Sequence, residues 1–230
     1  MTTGRTMLTI ARFHLLQRFL YLVLPWAILA FSFAVNLVVS AELPADANHS
    51  GGLATIYIYV FAGGLLATFR SLPFGLALGV SRRSYYLGTA GLGIALAAVF
   101  ALALTAAQAV ERATGGWGVT LHFFDLAYLL TGPWYQTWLT SFVGLVLMFV
   151  YGMWWGLVYR RWNLPGLVAF LAGHLVGLLA AALAVTWTHT WAGVGDFFTA
   201  LSAVGLTGVL AVLAAALLAG GFTTIRRVTV

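Results

Sequence analysis

The stretch Ser71-Leu72-Pro73-Phe74-Gly75-Leu76-Ala77-Leu78-Gly79-Val80-Ser81-Arg82-Arg83-Ser84-Tyr85-Tyr86 joins two long apolar runs and carries paired arginines but no acid. Moving outward from it, the same charge pattern recurs at every second connection. Arg5, Arg12 and Arg18 precede the first apolar run, Arg70 joins Arg82 and Arg83 after the second, Arg160 and Arg161 follow the fourth, and Arg226 and Arg227 follow the sixth. Glu42, Asp46, Glu111, Asp125 and Asp196 fall on the other connections, accompanied by a single cation, Arg112. Short loops rich in Arg or Lys stay on the cytoplasmic side of a membrane because carrying those charges across it is costly. The pattern therefore predicts a multispan membrane protein with both termini inside.

Composition agrees with that reading. The chain has 230 residues, 62% apolar and 7% charged, whereas soluble domains carry charge on about a quarter of their residues. The net charge of +6 comes from arginines in twos and threes at span ends, which suits anionic inner-leaflet lipid rather than a nucleic-acid backbone. There is no cysteine, which excludes disulfides, thiolate metal sites and cysteine nucleophiles. There is also no lysine, which excludes a phosphate-binding loop of the G-x-x-x-x-G-K-[ST] kind and Schiff-base chemistry. This chain cannot itself be a Walker-type ATPase.

A helix needs about 20 apolar residues to cross the hydrocarbon core. Six stretches qualify, at about 19–40, 53–70, 87–110, 134–159, 165–187 and 201–224, forming one all-α transmembrane domain over 1–230. The first run is longer than the apolar core of a cleavable signal peptide and is read as a retained anchor. Residues 5–18 before it form either a short amphipathic helix on the inner membrane surface or a plain extension of the first span. Trp117, Trp134, Tyr135, Trp138, Trp187 and Trp191 on one side, and Tyr85, Tyr86, Tyr159 and Trp162 on the other, are placed as interfacial anchors. Gly152-x-x-x-Gly156 and Gly173-x-x-x-Gly177 place small residues one turn apart, which allows close helix contact.

Within the opening stretch, Ser71 or Leu72 before Pro73 suits a helix start, Gly79 its end, and Ser81 the cap of the next helix. A short cytoplasmic helix between spans two and three follows. Phe74, Leu76, Leu78 and Val80 are more apolar than a solvated loop requires, so this helix is expected to bury part of itself against lipid headgroups or another protein.

The order of surface helix, six spans and a short helix between spans two and three resembles permease subunits of the six-helix exporter class of bacterial ABC transporters. The string from Leu72 to Arg83 looks like the loop such permeases present to their ATPase. That resemblance implies a coupling helix seated in a groove of a separate ATPase subunit, with contacts through Pro73, Phe74, Leu76, Leu78, Val80, Ser81, Arg82 and Arg83. It also implies a second permease protomer, identical or not, location in the bacterial inner membrane, and ATP with magnesium bound by the partner rather than by this chain. One departure is that larger external segments in the family lie between the last two spans. Here only about 188–200 is available there, and the longest external stretch is about 111–133.

Other constellations carry less. Asp46-x-x-His49 and His122-x-x-Asp125 have a spacing open to two metal ligands, too few for a site, and are read as solvated loop residues. His174 lies inside the fifth span and is the intramembrane polar candidate; a hydrogen bond to a neighbouring helix is its plainer role. Gln108 and Asn36 are read the same way. No catalytic residue is assigned: Ser141 and Ser202 lack a Gly-x-Ser frame, His-Glu-x-x-His is absent, and the spans hold no carboxylate for proton coupling. The alternative to a permease is a non-catalytic membrane protein such as an immunity, assembly or regulatory factor, with an intramembrane protease behind it.

Overall fold

A computed structural model of the chain describes residue 10 and residues 17–42, 51–125, 130 and 132–226, with the backbone alone at 198 and 199. The expected surface helix at 5–18 and the Asp46/His49 pair lie largely or wholly outside the described residues. The described chain is helical, in the order α1 (Phe19–Glu42), α2 (Ala54–Ala77), α3 (Arg82–Ala113), α4 (Trp134–Trp187), α5 (Trp191–Ala200) and α6 (Ala203–Ile225). All but α5 are long and apolar enough to cross a membrane, five stretches in all.

The longest, α4, has 54 residues and is not one rod. Asn163 sits at φ 53°, ψ −152°, outside helical space, and the chain reverses there. The Trp155 and Phe170 rings lie 5.2 Å apart, and the Tyr151 and His174 rings 6.0 Å apart. In an unbroken α-helix, 15 residues would separate the first pair by about 22 Å along the axis. The two arms, 134–162 and 164–187, therefore run antiparallel. At those angles Asn163 lies outside the left-handed helical region that Asn tolerates and is strained, while Pro165 suits the first turn of the second arm because its missing N–H would be unpaired there anyway.

The first arm of α4 is the centre of the molecule. Against α2 the backbones touch: a methyl group on Gly64 would stand 2.0 Å from the Phe149 carbonyl oxygen, and one on Gly152 2.0 Å from that of Phe61. Gly156 likewise lies against Thr68, whose hydroxyl donates to the Met153 carbonyl at 3.1 Å. The small-residue pair Gly152/Gly156 thus has a specific partner, α2. By contrast, Gly173 and Gly177 on the second arm have open space before them. Phe149 packs on Gly93 of α3, and Trp154 donates its indole N–H to the Leu217 carbonyl of α6 at 2.8 Å.

The contact order fixes direction. Residues 57, 61 and 68 meet 144, 152 and 156, and 140 and 154 meet 207 and 217, so α2, the first arm and α6 run parallel. Tyr59 donates to the Leu20 carbonyl while Ser32 donates to that of Gly52, so α1 runs opposite. Tyr86 donates to the Leu218 carbonyl and Arg82 to that of Arg226, which sets α3 opposite to α6. Arg70, Arg82, Arg83, Arg160, Arg161 and Arg226 accordingly gather at one end, and Glu111, Arg112 and Asp125 at the other.

Candidate functional site

The arginine-bearing end is built around the Leu72–Arg83 turn. The short helix expected at Leu72 to Gly79 is present, but as the last turns of α2 rather than a separate element. Five residues before it, Ala67–Ser71, are wound in the wider π geometry, and Ser71 is helical instead of capping. The end follows the expected chemistry. Gly79 has φ +79°, its N–H donates to the Leu76 carbonyl at 2.9 Å, and the Val80 N–H donates to that of Gly75 at 3.1 Å. This is the glycine-terminated closure that satisfies the last carbonyls of a helix. Ser81 is extended and its Oγ accepts the Ser84 N–H at 3.2 Å, capping α3.

Pro73 has a consequence that residue pattern alone does not reveal. It has no N–H, so the carbonyl four residues earlier, Phe69, loses its usual helical donor. Arg160 supplies the substitute: its Nε donates to the Phe69 oxygen at 2.8 Å, and its Nη2 donates to the same atom. The guanidinium also stands 5.3 Å from the centre of the Phe69 ring, whose other neighbour is Tyr159 at 4.8 Å, edge to face. A hydrogen bond from a charged group contributes roughly 1.5–3 kcal/mol, so the end of α2 is fastened to the first arm across 91 residues of sequence.

Tyr85 and Tyr86, expected at the membrane interface, are instead fully buried, at 0% and 1% exposure. Tyr85 donates to the Ala67 carbonyl at 2.6 Å, inside the π turn, and Tyr86 to that of Leu218 at 2.8 Å. Buried phenols need such partners, and the widened turn provides one. The Tyr85 ring lies directly under Gly75, where a methyl group would approach it to 2.8 Å.

The expected contact residues therefore divide by face. Leu76 and Val80 pack inward beside buried Leu72 and Tyr85, with Pro73 half-buried. Phe74 is 52% exposed and Leu78 66%, with Ser81 and Arg83 also at the surface. Arg82 is half-buried and donates to the Arg226 carbonyl at 3.4 Å, and Arg83 and Arg226 both stand over the Phe222 ring. The result is an apolar knuckle, Phe74 and Leu78, whose other face is packed on the bundle, followed directly in the chain by Arg82 and Arg83.

The opposite end is closed by a cap over 114–125. Glu111, read from sequence as a loop carboxylate, is 1% exposed. Its Oε2 accepts the N–H groups of Phe123 and Phe124, both at 3.0 Å, and the Trp117 indole N–H at 3.0 Å, while Oε1 accepts that of Asp125 at 2.9 Å. Asp125, expected to be solvated, is held by Gln108 at 3.1 Å and by Arg112 at 3.4 Å, the one ion pair among the described residues. Gln108 and Arg112 both also donate to the Leu130 carbonyl, so Gln108 serves the cap and not a neighbouring span. Trp117 joins Phe33, Phe123 and Phe124 in an aromatic cluster instead of a membrane belt. Asn36 donates to the Ser32 carbonyl of its own helix.

His174 is exposed on the second arm. Its Nδ1 donates to the Phe170 carbonyl at 2.7 Å, one turn back on its own helix, and its ring is 4.4 Å from that of Phe170. Among the described residues no group of three or more His, Cys, Asp or Glu side chains converges as metal ligands would. No protein-family model matches the sequence, and neither a curated protein nor a solved structure matches it.

Proposed function

We propose that this chain is the membrane-spanning permease subunit of an ATP-driven exporter, working with a separate ATPase subunit and a second permease protomer. With the two arms of α4 counted as separate crossings, the five long stretches become six spans, with the arginine-bearing end and both termini in the cytoplasm. The observation that carries this reading is the knuckle. Phe74 and Leu78 project from a turn whose other face is locked on Tyr85, while Arg160 ties its base to the centre of the bundle. A membrane-surface loop needs no such bracing, whereas an element that receives a push does.

In this mechanism the partner's ATP-driven closure presses on Phe74 and Leu78. The force passes through the Phe69–Arg160 fastening and the backbone contacts of Gly64, Gly152 and Gly156, moving α2 and the first arm as one body. The requirement is two arrangements a few kcal/mol apart, only one of which suits the ATP-bound partner. The presence of an ATPase gene beside this one is the first test of the reading, and co-expression with that ATPase is the second. Phe74→Asp combined with Leu78→Asp is expected to abolish co-purification while leaving this chain folded. Unchanged co-purification, or no association with the wild-type chain, contradicts it and favours a non-catalytic membrane factor.

A further inference from the structure

The reversal at Asn163 leaves a groove between the two arms of α4 that none of the foregoing uses. It has a volume of 410 Å³ and is lined by Val158, Trp162, Pro165, Gly166, Ala169 and Phe170. No lining residue is charged. At its rim, however, the Arg161 guanidinium stands 4.6 Å from the centre of the Trp162 ring. Its neighbour Arg160 is spent on the Phe69 carbonyl and Arg82 on that of Arg226, whereas the Arg161 guanidinium lies over the ring of Trp162, which lines the groove.

Among the described residues this end of the molecule has no acid to answer its cations. Glu111 and Asp125 belong to the cap at the far end, and Glu42, Asp46 and Asp196 lie on the same side as that cap in the order of the chain. No carboxylate among the described residues pairs with Arg161, so an external anion can serve as its counter-charge. Free phosphate would leave the apolar walls wet, and a neutral hydrocarbon would leave the guanidinium without an anion. An amphiphile with an anionic head satisfies both. The arms meet at a level marked by Tyr159, Arg160, Arg161 and Trp162, the residue types that settle at a headgroup layer.

We propose that the crook of the α4 hairpin binds one anionic phospholipid, its phosphate on Arg161 and an acyl chain along the Trp162–Phe170 groove. The site needs only that the hairpin stands in a bilayer, so it is independent of any ATPase partner. The lipid would wedge the two arms at a fixed spacing, and the second arm otherwise touches the first mainly through rings such as Trp155–Phe170.

Native mass spectrometry of the purified full-length protein, titrated with palmitoyl-oleoyl phosphatidylglycerol, the matching phosphatidylcholine or inorganic phosphate, tests this. One guanidinium at a lipid headgroup contributes about 1 kcal/mol, so the glycerol lipid should bind about fivefold more tightly than the choline lipid. Arg161→Gln should erase that ratio, and Arg161→Lys should keep most of it. Ala169→Trp, at an exposed position on the groove wall, should weaken both lipids while leaving the helix content unchanged. Equal binding of the two lipids by the wild-type chain overturns the proposal, as does a ratio surviving in Arg161→Gln. Stabilisation by phosphate alone equal to that by the lipid would reduce the site to an anion contact and overturn it too.

Discussion

At one end of the bundle Glu111 collects the N–H groups of Phe123, Phe124 and Asp125 and the indole of Trp117; at the other Arg160 gives its N–H groups to the single carbonyl of Phe69. Both are charged side chains answering backbone groups that regular structure leaves unpaired. They differ in sign and in reach. Glu111 organises residues 6 to 14 positions away and closes a local cap, whereas Arg160 spans 91 positions and binds two helices. The acid therefore makes its end a rigid lid, and the base makes the other end a joint between elements. Where the acids and arginines fall in the chain also decides which kind of brace each end can have.

The contrast is open to direct attack, and the cap should suffer most. Glu111→Leu strands four donors, each costing roughly 1–3 kcal/mol when buried unpaired, and is expected to lower stability by more than about 3 kcal/mol. Thermal unfolding in detergent, with protease nicking between 114 and 125, would read it. Glu111→Gln keeps acceptor oxygen and should fall between. If Glu111→Leu unfolds no earlier than the wild type, the lid account fails.

At the other end Arg160→Gln should cost about 1.5–3 kcal/mol, less than the cap because one carbonyl is abandoned rather than four donors. The diagnostic is a double-mutant cycle with Pro73→Ala, which restores an N–H to the Phe69 carbonyl. In that background Arg160→Gln should cost at least about 1 kcal/mol less than alone. Strict additivity would mean that Arg160 does not replace the bond Pro73 removes. Smallest of all, Phe74→Ser with Leu78→Ser should change stability by less than about 0.5 kcal/mol, since both side chains are largely at the surface. Leu76→Ser, which removes an inward-packed side chain, should cost more.

Much of the arginine-bearing end was legible because its signals are local. Gly79 and Ser81 mark helix end and helix cap through their own backbone chemistry, and each does so here, whereas Pro73, read as a helix start, lies within the continuous α2 because the preceding π turn carries the helix into it. What local reading missed depended on partners far along the chain. Tyr85 and Tyr86 have the composition of interface anchors, and only the carbonyls of Ala67 and Leu218 make their burial tolerable. The role of Arg160 follows from Pro73 only once α2 and the first arm are known to be parallel neighbours. The cap carried one readable hint: Glu111 at a helix end is followed by Gly115, Gly116 and Gly118, all at positive φ, a run that turns the backbone back toward the carboxylate. The resemblance to exporter permeases rests on the order of spans and the Leu72–Arg83 string and implies nothing about how the knuckle is mounted.

Because the chain contains no cysteine, single cysteines report sidedness without background. Ala113→Cys at the cap and Leu78→Cys on the knuckle, labelled with a membrane-impermeant maleimide in intact cells, test the central claim that the arginine-bearing end is cytoplasmic. Labelling at position 113 in intact cells, and at position 78 only after permeabilisation, is the expected result. Labelling at position 78 in intact cells would contradict the orientation and remove the knuckle from any cytoplasmic partner.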